Sequence, residues 1–196
     1  QDIVDRFPIP KEWLVYVGHD FGKANPAALF AAQNPVTGEL FYWHEYLPGA
    51  GKGAHEHVDE WKKIVAGYNV IARIGGNWTT EQDSRDLYTM HGWHIIQPRQ
   101  KEVGQQIGRV IGQERLHKIK VMRHLSHIIE EKQTFSYELN EKYEPTDKYE
   151  DEADYHLLAA ERYLHTYFTP ETVGYRESIP SNQYGSPRGF TTSGRR

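Results

Sequence analysis

The chain has 196 residues, 38% of them apolar, which suffices for one domain with a real core and excludes disorder over most of its length. It has no cysteine, so disulfides and thiolate metal sites are excluded and any metal must be held by carboxylates, histidines and water, a donor set suited to Mg²⁺ or Mn²⁺. The net charge of −4 gives no overall attraction to nucleic acid, no apolar run approaches the ~20 residues of a membrane helix, and the opening residues lack the basic and apolar regions of a signal peptide, so a soluble protein is expected.

Residues 1–12 read as an extended linker, because Pro8 and Pro10 oppose helix, and the chain is expected to begin inside a longer protein. "WLVYVGHDF", "NPAALFAAQNP" and "GELFYWHEYL" read as three successive strands, an antiparallel meander with "NPVTGE" as its second connection. "GAHEHVDEWKKIVAGY" carries Val58, Trp61, Ile64 and Val65 at helical spacing and stops at Gly67. "NVIARIGG" is a fourth strand, "TTEQDSRDLYTMHGW" a helix capped by Thr79 or Thr80, and "WHIIQP" a short fifth strand. "KEVGQQIGRVIGQERL" is a helix despite three glycines, since Val103, Ile107, Val110 and Ile111 form one stripe. "KIKVM" then reads as a strand, "LSHIIEEK" as a short helix, "TFSYEL" as a strand or edge hairpin, and "DEADYHLLAAERYLHTYF" as a last helix with acids in its first turn. Residues 171–196 read as a flexible tail, which leaves residues 13–170 as the domain, a mixed sheet with helices packed on it.

Two apparent motifs fail. A phosphate-binding loop around Lys52 would need Gly where Tyr46 stands and Ser or Thr where Gly53 stands. His55 and His57, two residues apart, do not share a helical face, so zinc is not expected there.

Asp20 is different: one acid at the end of an apolar strand, with Gly18 and Gly22 two residues to either side. An ionised carboxylate there is costly unless it is paired, hydrogen-bonded or bound to a metal, and the glycines leave room for a ligand to approach the backbone. A structural Asp capping the turn before "NP" is the alternative. The stretch "IPKEWLVYVGHDFGKANPAALFAAQNPVTGELFYWHEYL" resembles the opening of the nuclease domain of the large terminase subunit of tailed bacteriophages. "IGGNWTTEQDSRDLYTMHGWHIIQP", "KEVGQQIGRVIGQERLHKIKV" and "DEADYHLLAAERYL" resemble later segments of the same family, so the similarity covers about residues 8 to 168.

The resemblance implies an α/β fold of the ribonuclease-H-like type, a mixed sheet led by three antiparallel strands with helices on its faces. It implies an endonuclease that cuts concatemeric double-stranded viral DNA with little sequence preference, leaving a 3′-hydroxyl and a 5′-phosphate, through two Mg²⁺ or Mn²⁺ ions ~3.5–4 Å apart held by carboxylates from distant chain positions. Asp20 would be the bridging ligand. Asp154 is its counterpart on the last helix and Asp151, one turn earlier, the reserve, although aligning "ERY" with the family pattern puts Tyr155 and Ala159 where the family has aspartates. Glu81 is the candidate middle carboxylate, since Gly75, Gly76 and Asn77 occupy the end of the fourth strand where many members carry Asp; a capping role is the alternative. Glu45 could project to the same edge or serve structurally, and His156 matches a family histidine that supports the second metal or simply packs.

For DNA, seven Lys/Arg between Arg99 and Arg123 against Glu102 and Glu114 leave a net +5, from which Arg99, Lys101, Arg109, Lys118 and Lys120 are expected phosphate contacts; from Glu130 to Asp154, ten acids against Lys132, Lys142 and Lys148 leave −7. Such charge runs can also be no more than two solvated faces. The implied partners are double-stranded DNA, an amino-terminal packaging ATPase domain absent from this chain, the portal protein and the small terminase subunit, with the host cell cytoplasm as the location and no membrane. Three other readings stand beside this one. Actin-like ATPases and sugar kinases open with a similar strand but need a second domain that this length cannot hold; a resolvase or transposase would share the metals; a non-catalytic DNA-binding or portal-docking module would not cut.

Overall fold

Alternation in the strand Leu14–Asp20 sends Tyr16, Gly18 and Asp20 to one face and Val15, Val17 and His19 to the other, and each face is covered by helices. The computed structural model describes residues 2–22, 26–78, 80–135, 137–139, 145–149 and 155–168. Its elements in chain order are β1 (Asp2–Val4), β2 (Leu14–Asp20), β3 (Ala27–Gln33), β4 (Leu40–Tyr46), α1 (Ala54–Ile64), β5 (Asn69–Gly75), α2 (Gln82–Met90), α3 (Val103–Arg115), β6 (Ile119–Met122), α4 (Ser126–Thr134), β7 (Tyr137–Leu139), β8 (Pro145–Tyr149) and α5 (His156–His165).

The three leading strands form the expected antiparallel meander, with Asp20 opposite Ala27 and Ala28 opposite Tyr46. The continuous apolar run of β3 fits its central place, because both of its faces are buried. β5 and β6 join in parallel to β2 and β4, and β1 adds in parallel to β6, giving a six-stranded mixed sheet in the order β1-β6-β4-β3-β2-β5. β7 and β8 form a separate antiparallel pair, the edge hairpin that "TFSYEL" allowed.

α5 lies directly on β2. A Cβ on Gly18 would overlap the carbonyl oxygen of Ala160 and sit 2.9 Å from the Leu164 Cβ, so only glycine admits the helix this closely. α3 and α4 pack against α5. On the opposite face, the fully buried His19 packs against Trp61 of α1 and Trp93 beyond α2, with ring centroids 4.5 and 6.1 Å away.

Four boundaries differ from expectation. Asp2–Val4, placed in the linker, pair with Lys120–Met122, so the sheet begins inside that segment. "WHIIQP" makes only a bridge between Ile74 and Ile96. α2 starts at Gln82, with Glu81 rather than a threonine at its N-cap. α5 starts at His156 with Tyr155 as N-cap, later than the acids of "DEAD". The tail, residues 171–196, lies outside the described residues. Among the described residues no helix is long and apolar enough to cross a membrane.

Candidate functional site

β2 and β5 are parallel neighbours, with His19 paired to Gly75, so the chain leaves both strands at the same edge of the sheet. Crossings between parallel strands routinely gather functional residues at their carboxyl ends. Asp20 stands at that edge, and α5 crosses β2 so that its first residue, His156, meets it. The His156 Nδ1 lies 2.8 Å from Asp20 Oδ2, with the two side chains 25% and 15% exposed, neither sealed off nor free in water. A proton in this contact sits on Nδ1, so in the neutral imidazole Nε2 is the nitrogen with the lone pair. A carboxylate that orients an imidazole in this way is the usual support of a metal-binding histidine.

The first turn of α5 is held from outside. Tyr155 makes no side-chain cap, and Glu131 of α4 supplies one instead: its Oε1 accepts from the Leu157 N–H at 3.2 Å and its Oε2 from the Leu158 N–H at 2.9 Å. Burial pushes the Glu131 carboxyl up to about 7, against the pull of the two N–H donors and of nearby His156. α4 is anchored in the same manner by Glu45, which accepts from the His127 and Ile128 N–H groups at 3.1 and 2.9 Å and meets His127 Nδ1 at 2.9 Å. Glu45 is thus a structural acid.

Beyond β5, Gly76 adopts φ 77°, a conformation few other residues accept, and a Cβ there would overlap the Phe21 ring. Arg85, 2% exposed, donates from Nη1 to the carbonyls of Gly75 and Asn77 at 3.2 and 3.1 Å and is steadied by Gln82. Glu81 accepts a short hydrogen bond from the Asn77 N–H, which closes the turn. It therefore caps the loop, the alternative role its spacing suggested.

Asp20 and His156 come together; among the described residues no group of three or more His, Cys, Asp or Glu is placed to hold a metal ion, so Glu81 does not join them in one cluster. Asp151 and Asp154 lie outside the described residues. The expected DNA contacts sit elsewhere. Arg99 stacks 4.8 Å over Tyr167, and its N–H meets Thr166 Oγ1 at 3.2 Å, at the far end of α5. Lys118 donates to the Thr37 carbonyl at 2.8 Å and Lys120 pairs with Asp2 at 2.6 Å, both at the opposite end of the sheet from Asp20. Lys101 is exposed and Arg109 half-buried on α3. Sequence reasoning missed Glu131 and Arg85. Each sits in a run of polar helical residues where nothing distinguishes it from a surface charge.

No family model matches the chain, and no curated protein does. Solved structures do. The nuclease domain of the P22 large terminase shares 16% identity over 83% of this chain and 84% of its own, with a TM-score of 0.63. The nuclease domain of the large terminase of bacteriophage SPP1, solved with bound Mn, shares 18% identity over 83% of this chain and 93% of its own, with a TM-score of 0.62. A complete large terminase from a thermophilic bacteriophage gives a TM-score of 0.71 at 18% identity, and this chain spans 42% of its length. The chain therefore has the mixed α/β, ribonuclease-H-like fold of large-terminase nuclease domains, as the resemblance implied.

Proposed function

We propose that this chain is the nuclease domain of a viral DNA-packaging terminase, cutting concatemeric double-stranded DNA with little sequence specificity by hydrolysis that depends on two divalent cations. The observation that carries the reading is the contact between Asp20 and His156 at the strand-end edge of this fold. The donor set fits the ion: a carboxylate and an imidazole, both partly open to solvent, suit Mn²⁺ and, through the carboxylate, Mg²⁺. The SPP1 domain, with bound Mn, supports the same choice.

In this reading Asp20 and His156 bind the first cation, and Asp154, Asp151 and Glu81 are the proposed further ligands. A divalent cation, when bound, neutralises charge on the scissile phosphodiester and lowers the pKa of an attacking water. Asp20 fixes the imidazole plane, α5 holds His156 over the strand end, and the turn tied by Arg85 keeps Asn77 beside it. Arg99, Lys101 and Arg109, with Lys118 and Lys120, would meet the DNA backbone away from the cutting edge. The rest of the packaging protein, with its ATPase domain, the portal and the small subunit, would be the partners, in the host cytoplasm.

A second reading has an observation of its own. Among the described residues no third carboxylate joins Asp20 and His156, which favours a non-catalytic DNA-binding or portal-docking module. Cleavage of supercoiled plasmid with Mn²⁺, Mg²⁺ or EDTA, beside Asp20→Ala, separates the two. Metal-dependent nicking and linearisation that disappear in Asp20→Ala are expected; a folded, DNA-binding protein that cuts with neither metal sinks the nuclease reading.

A further inference from the structure

The geometry points to Glu131 as a positioning residue for the cation-binding edge: from α4, its carboxylate clamps the first turn of α5 and so sets where His156 stands against Asp20. This rests on the nuclease reading and adds to it a residue three elements away in sequence from Asp20 that touches neither ion nor DNA.

The first N–H groups of a helix have no partner within it and normally find one in the N-cap side chain. In α5 that position is Tyr155, which gives no cap; its hydroxyl instead donates to the Thr134 carbonyl at 3.1 Å, and its ring packs on Phe135 at 5.2 Å. The vacancy is filled in trans, by one Glu131 carboxylate that meets two consecutive donors, Leu157 and Leu158. Both are the residues immediately after His156, so the peptide planes held by Glu131 fix the backbone direction from which the imidazole departs. Glu131 is only 9% exposed. A carboxylate kept in so dry a place is costly unless it is hydrogen-bonded, and both of its oxygens are committed to this one turn. A second tie makes the clamp rigid: Glu45 of β4 caps α4 as Glu131 caps α5, so β4, α4, α5 and the Asp20 edge form one chain of carboxylate anchors.

Glu131→Gln tests this with minimal change of shape. A glutamine offers one acceptor oxygen where two N–H donors wait, and its amide nitrogen faces the second donor. The expected result is a rise of about tenfold in the Mn²⁺ dissociation constant measured by calorimetry, with the Mn²⁺ needed for half-maximal plasmid cutting rising alike and the rate at saturating Mn²⁺ little changed. Amide hydrogen exchange at Leu157 and Leu158 should quicken. Val121→Ala, in β6 at the other end of the sheet, is the stability-matched control and should leave Mn²⁺ affinity unchanged. The inference is overturned if Glu131→Gln binds Mn²⁺ as the parent does, or if Val121→Ala weakens Mn²⁺ equally, which would reduce Glu131 to general stability. Should Glu131→Gln not fold, Glu131→Asp, charged but shorter, carries the same comparison. A parent protein that binds no Mn²⁺ at all is a different result: it removes the nuclease reading, and this inference with it.

Discussion

An acid inside an apolar strand announces itself, and Asp20 was legible for that reason. Its partner was legible only through the likeness of the last helix to a family pattern, since a single histidine in "DYHLL" carries no chemistry of its own. The buried polar groups behind the site were not legible at all. Tyr42, for example, donates to Glu161 Oε1 at 2.8 Å, so its oxygen takes the proton of His165 Nε2, 2.7 Å away, while Lys132 bridges Glu161 and Glu114 at 2.7 and 2.9 Å. Burial, reinforced by the Lys132 ammonium, holds the His165 imidazole down at about 3. The folded protein thus keeps His165 neutral while the unfolded chain protonates it near its ordinary value of about 6.5, so the unfolded state binds the extra proton as pH falls. Stability is full above that value and is lost between it and about 3, by up to roughly 1.4 kcal/mol per pH unit from this one group. In His165→Gln, which still donates to Tyr42 but does not titrate, denaturant unfolding should show a shallower loss across that window; an identical slope in both proteins would contradict the assignment.

At the scale of elements, glycines that look alike in the sequence behave in opposite ways. Gly18 lies under α5, and a methyl group there must push against the backbone of Ala160, which has no cheap way to move. Gly18→Ala should therefore cost about 3 kcal/mol, read as a lower urea midpoint at unchanged m-value. Gly104, Gly108 and Gly112 in α3 have no heavy atom within 4 Å of a built Cβ. Gly108→Ala should stabilise the protein by about 0.5–1 kcal/mol through the backbone entropy that glycine carries into a helix, and a lowered midpoint would refute the open-space argument. Periodicity found α3 despite its glycines and found the β2 to β4 meander, because those segments bury one or both faces and their apolar spacing records it. It did not find β1 or β8. "DIV" and "PTDKY" are strands by pairing alone, with too few residues for a pattern to show. Nor did it place the start of α5, since acids favour a first helical turn whether or not the helix reaches them.

Taken whole, the molecule separates the two properties that a DNA-cutting domain must combine. Asp20 and His156 sit where β2 ends; Lys120 pairs on a strand row that aligns with Val15, roughly 15–20 Å back along the sheet, and Arg99 lies about 15 Å away at the other end of α5. Those spans are about half of the ~34 Å helical turn of a duplex, so backbone contacts there and a cut at the Asp20 edge can fall within one turn of the same DNA. The basic residues differ in how free they are to do this. Lys101 is exposed and Arg99 is exposed above Tyr167, whereas the Lys120 ammonium is engaged by Asp2, whose hydrogen bond raises the lysine's pKa and depresses its own. Neutralising a phosphate contact should lower the slope of log affinity against log salt by about one per site. Arg99→Ala and Lys101→Ala are each expected to do so in duplex binding followed over a salt series. Lys120→Ala should instead leave the slope unchanged and lower the melting temperature, because it unties the β1 to β6 pairing that Asp2 anchors. A slope that falls in Lys120→Ala as in Arg99→Ala would mean that the duplex displaces Asp2 and runs across the far end of the sheet, and the path of the DNA would have to be redrawn through β6.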